Sequence, residues 1–118
     1  MTTQQLTDAN NLIVSLLMWQ KTSEHFVSIP KEFADSNGIS IASWKVSILK
    51  FNSNWNWQIH AWSVAAKAAK KATAKDELGA GQLTLLRKKY EDCILNDNVS
   101  AGFDILTNVI ELLANRTK

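Results

Sequence analysis

At 118 residues, with 46% hydrophobic and 20% charged side chains, the chain has the size and composition of one globular domain, which excludes wholesale disorder. Its 13 Lys and Arg against 11 Asp and Glu leave a net charge of +2, too small to define a partner by overall field. The single cysteine, Cys93, excludes an internal disulfide and fits a reducing cytosol. The opening Met-Thr-Thr-Gln-Gln lacks the basic start of a secretory signal. The apolar run from Leu12 to Trp19 is broken by Ser15 and falls short of the roughly 20 residues of a membrane span. A cytoplasmic protein without a membrane segment is expected.

Thr3 or Thr7 is placed to cap a first helix, whose apolar positions Leu6, Ile13, Leu16, Leu17 and Trp19 recur at helical spacing up to about Lys21. Pro30 opens a short second helix that ends near Ser36, ahead of Gly38. A central helix capped by Ser40 or Ser43 would carry Trp44, Ile48, Phe51, Trp55, Ile59, Trp62 and Ala66 on one arc of roughly 80°. Trp57, Val64 and Val46 then fall on nearly the opposite side. Two competing readings share this segment. A β-hairpin over about 44–62 would turn at Asn52-Ser-Asn54, whereas a break near Ser53 would give two helices, the second capped by Ser53 or Asn54.

Alanine and lysine dominate from Ser63 to Lys75, a composition that favours helix, and Gly79-Ala-Gly81 is expected to end it. Leu83, Leu86, Tyr90, Cys93 and Ile94 mark a further helix that stops near Asn96-Asp-Asn98. Ser100 then caps a last helix bearing Phe103, Leu106, Val109, Ile110 and Leu113. The fold class expected is all-α, a bundle of four or five helices around a Trp-rich central helix in a single domain, residues 1–118; the alternative is α+β with the hairpin.

Catalytic chemistry finds no constellation. His25, His60 and Cys93 have neither metal-ligand spacing nor a nucleophile-base pattern, and Glu91-Asp92 and Asp76-Glu77 are neighbours that diverge on a helix. Gly79-Ala-Gly81 is too short for a phosphate loop. The chain is therefore read as a non-enzyme with no cofactor and no metal site. The leading function is a protein-interaction module of inhibitor, immunity, regulatory or assembly-factor type, with the profile of small accessory proteins from phages and mobile elements. Its partner surface would comprise Val46, Trp57, Val64 and Trp19, and the same surface would serve a homo-oligomer.

The alternative is nucleic-acid binding. Ala34, Gly38, Ile39, Ser40, Trp44 and Ile48 resemble the helix-turn-helix of DNA-binding regulators over about 20 residues. That resemblance implies a reading helix after Gly38 that presents Ser40, Ile41, Ala42, Lys45 and Val46 to base edges. Independently, Lys67, Lys70, Lys71 and Lys75, with Arg87, Lys88 and Lys89, are candidate phosphate contacts. Asp76 and Glu77, then Glu91 and Asp92, follow the two clusters closely enough to suggest local pairing on solvated faces.

Overall fold

Helix is the dominant structure in the computed structural model, which describes residues 2–40 and 43–116. The helices among them are α1 (Thr3–Leu16), α2 (Lys31–Ser36), α3 (Trp55–Ala72), α4 (Glu77–Leu95) and α5 (Val99–Arg116). The all-α class is as expected, with one small addition: β1 (Phe26–Ser28) pairs antiparallel with β2 (Ser43–Lys45). The chain divides into two units, Met1–Leu49 and Lys50–Lys118.

In the first unit, α1 starts one residue earlier than the threonines expected to cap it. Thr2 Oγ1 accepts from Gln5 N at 3.1 Å, and Gln5 Oε1 accepts from Thr2 N at 2.8 Å, a reciprocal capping box. The helix stops at Leu16 instead of near Lys21, because Met18 turns the backbone into the left-handed region at φ 59°. Trp19, beyond that turn, is buried with its ring centroid 5.0 Å from Phe33 of α2. Pro30 stands at the N-cap of α2, where its fixed φ suits the helix start, and Gly38 at φ 65° releases the chain after α2.

The helix expected from Ser40 or Ser43 does not form there. Val27 faces Trp44 and Phe26 faces Lys45 across the β1–β2 ladder, and a single 3₁₀ turn follows at Val46–Ile48. Pairing with a segment some 17 residues earlier satisfies this backbone where local propensity was weak. Val46 is buried, and its carbonyl accepts from Asn10 Nδ2 at 2.8 Å, which ties the turn to α1. The helix-turn-helix resemblance fails on the same point. The positions after Gly38 that should form its reading helix are strand and turn, with Ile41 and Ala42 outside the described residues. The alternative hairpin over 44–62 fails too, since β2 pairs backwards with β1 and residues 55–62 are helical.

The second unit opens with a 3₁₀ turn at Lys50–Asn52, and α3 begins with Asn54 as N-cap. Asn54 Oδ1 accepts from Asn56 N at 2.9 Å and from Trp57 N at 3.4 Å. Of the broken-helix alternative, the second helix and its Asn54 cap are present and the first helix is not. α3, α4 and α5 form a three-helix bundle in which α5 packs against both others. The break between α3 and α4 falls at Thr73–Asp76, not at Gly79-Ala-Gly81. Asp76 Oδ1 caps α4 by accepting from Gly79 N at 3.0 Å, and the two glycines lie inside its first turns. Asn98, two residues ahead of the expected Ser100, caps α5 by accepting from Ala101 N at 3.1 Å.

The buried face of α3 consists of Trp57, Gln58, Ala61, Ala65 and Ala69. Trp57, expected on the far side, is 1% exposed, with its ring 5.3 Å from Phe51 in an edge-to-face contact. The stripe of large residues is rotated away from the core, with Ile59 43% exposed and Trp55 and Trp62 half-buried. Small alanines at every fourth position let a neighbouring helix come close, so the helix seats its smallest side chains inward. Trp57→Ala should therefore lose about 3–5 kcal/mol of stability, whereas Ile59→Ala should lose about 1 kcal/mol or less; urea unfolding of the two variants measures both.

Candidate functional site

Gln58 organises the second unit from within α3. Its amide is fully buried, and Nε2 donates to Phe51 O and to Val99 O, each at 2.8 Å. Tyr90 of α4 donates its hydroxyl to Gln58 Oε1 at 3.0 Å. Burial, first, and the neighbouring Cys93 push the Tyr90 pKa well above its ordinary value, so the hydroxyl keeps its proton and remains a donor. On α5, Gly102 lies against the same amide, and a Cβ there would run into Gln58 Oε1. Trp62 stacks on the Tyr90 ring at 3.9 Å and 12°, and Trp55 meets it edge-on at 6.3 Å. Trp55 Nε1 also donates to Asp97 Oδ1 at 2.7 Å, in the turn between α4 and α5.

These contacts fix the rotation of α3 about its axis, and with it the outward face. Asn56, His60, Ser63, Lys67, Lys70 and Lys71 share an arc of roughly 100° opposite the buried residues. No Asp or Glu occurs in α3; from Ser36 to Lys75 the chain carries six lysines and no carboxylate. Among the described residues, no ion pair within 4.0 Å involves Lys67, Lys70, Lys71 or Lys75. Lys70 and Lys71 stand in the last turn of α3, where cations favour the partial negative end of the helix. Lys67 lies a turn further in. Ser63, Val64, Lys67, Ala68 and Lys71 line a surface depression of about 550 Å³. Partial desolvation lowers the His60 pKa below its ordinary value, so the imidazole adds little charge to this face at neutral pH.

The other candidates are not gathered there. Arg87, Lys88 and Lys89 are exposed at successive steps of about 100° around α4, which fans them over its outer surface instead of onto one stripe. Lys75 stands in the turn before α4. Ser40 is exposed after Gly38. Lys45 lines a cleft of about 690 Å³ in the first unit whose walls include Asp8 and Glu24 beside Lys21 and His25, so its charge has opposite charges for company. Of the proposed partner surface, Val46, Trp57 and Trp19 are buried, which corrects the expectation that they face outward; only Val64 reaches the surface, half-buried.

Gln58, the residue on which the site's geometry turns, was not among the sequence candidates, because one polar residue on a wheel of tryptophans reads as solvent-facing. The carboxylate-free stretch from Ser36 to Lys75 was the available signal for the α3 face. Among the described residues, no helix is long and apolar enough to cross a membrane. Comparison with family models, curated proteins and solved structures found no match to the chain.

Removing the donor that Gln58 Oε1 depends on leaves a buried acceptor unpaired. Tyr90→Phe should cost about 1–3 kcal/mol, and the double variant Tyr90→Phe/Gln58→Leu less than the sum of the two single changes, as measured in a urea-unfolding double-mutant cycle.

Proposed function

We propose that the protein is a non-catalytic binding module whose outer α3 face grips the phosphates of nucleic acid. The observation that supports this most is a helix with three lysines on one arc, no carboxylate of its own, and no carboxylate within ion-pair distance of those lysines among the described residues. Lysines set as unpaired point charges on a rigid helix release counterions when they meet a phosphate backbone, and that release gives sequence-independent affinity. The depression beside Lys67 and Lys71 offers room for a phosphate between them. Base-edge readout is not part of the reading, since the face lacks arginine and holds one asparagine.

Titration with labelled oligonucleotides at rising salt tests the reading. Three phosphate contacts should give a log–log slope of about −2.1 to −2.7, a loss of about 20- to 40-fold between 50 and 200 mM salt. Lys67→Ala/Lys70→Ala/Lys71→Ala should abolish binding while circular dichroism shows helix retained. An affinity indifferent to salt, or retained by the triple variant, defeats the proposal.

A protein partner is the second reading, and α4 favours it. Leu78 and Leu85 are 73% and 54% exposed one heptad apart, beside a groove of about 320 Å³ that Leu85, Leu86 and Leu112 line. This surface replaces the buried one inferred around Trp57. If it binds protein, Leu85→Asp should abolish capture of the partner from a native lysate and leave the salt-dependent oligonucleotide binding unchanged.

A further inference from the structure

The lysine arc of α3 does not stand alone. Ahead of it on the same helix, Trp55, Ile59, Trp62 and Ala66 occupy a shoulder of roughly 60° whose near edge is about 20° around the axis from Lys70. Ile59 is exposed, while Trp55 and Trp62 are half-buried and held: Trp62 by the Tyr90 stack, Trp55 by its hydrogen bond to Asp97. An apolar, aromatic strip over the first turns is therefore followed along the axis by a cationic cluster near the end of the same rigid helix.

We propose that the occupant of this strip and cluster is a single strand of nucleic acid running along the helix, with phosphates held on Lys67, Lys70 and Lys71 and the unpaired bases of its neighbouring nucleotides laid against Trp55, Ile59 and Trp62. The inference rests on the phosphate reading and adds to it. In a duplex the bases are stacked on one another and turned inward, so an aromatic shoulder beside the lysines gains nothing from them. A single strand offers every base's π-face, and stacking on indole is tolerant of sequence, as suits a face without side chains for base-edge readout. The fixed orientation of both indoles means that little side-chain freedom is lost on binding. An acidic polypeptide would satisfy the lysines but leave the indoles without flat partners.

The test uses the full chain, a fluorescently labelled oligothymidine, a duplex of the same length and polyglutamate as competitor. The single strand should bind at least tenfold more tightly than the duplex and resist polyglutamate. Ile59→Ser/Trp62→Phe, which keeps a ring on Tyr90, should weaken the single strand about fivefold or more and leave the duplex unchanged. In the unaltered protein, irradiation with a bromouracil-substituted strand should cross-link Trp55 or Trp62, which reads the contact even if the double variant fails to fold. Equal affinity for strand and duplex, effective competition by polyglutamate, or cross-links confined to other residues overturns the single-strand inference while the phosphate reading stands. Absence of binding to either nucleic acid at low salt overturns both.

Discussion

A buried primary amide is a demanding thing to place in an apolar bundle, because every unmet donor or acceptor there costs about 1–3 kcal/mol. Gln58 is placed with both of its amide hydrogens given to backbone carbonyls and its oxygen met by a phenol. From α3 it reaches partners in three other stretches of the second unit: the Lys50–Asn52 turn through Phe51, α4 through Tyr90, and α5 through Val99. Apolar packing is tolerant of rotation and slippage, whereas this set of bonds is satisfied in one arrangement. The rest of the bundle is arranged about it: Trp62 and Trp55 close over Tyr90 from the side, and alanines along α3 admit its neighbours at short range.

The outer surface inherits its geometry from that inner one. Once Gln58 and the alanines point inward, the tryptophans at 55 and 62 are left at the boundary and the lysines at 67, 70 and 71 point away. Each of these groups would be unremarkable by itself, a solvated lysine face or a ring half-covered by a neighbour. Their adjacency on one helix is what gives the face a chemical character, and it follows from a hydrogen-bond pattern on the opposite side.

The sequence was informative to different degrees along the chain, for identifiable reasons. The last helices were readable because Leu83, Tyr90 and Cys93, and Phe103, Leu106, Val109 and Ile110, keep helical spacing and are buried as that spacing implies. Asn54 as a cap was readable as an alternative, since asparagine in that setting stops one segment and starts another. The rotation of α3 was not. Hydrophobic wheels weight indoles heavily and alanines lightly, and they assign glutamine to water; here close helix approach rewarded alanine and a complete set of partners rewarded glutamine. Residues 43–46 were misplaced for another reason, because their strand depends on a partner at 26–28 that no local pattern announces. The lysines of the α3 face were visible, but their relation to the tryptophans required the correct rotation.

Gly102 carries a consequence that concerns motion along the helix axis instead of across it. The hollow left by its missing side chain is where the Gln58 amide sits, and the next residue on that face one turn later is Leu106, itself fully buried. Sliding α5 by a single turn would bring a leucine onto the amide and displace it from its partners. One absent methyl group thus acts as an index notch for the axial register of α5 on α3, since a side chain at position 102 would push the Gln58 amide off the hydrogen bonds that hold it.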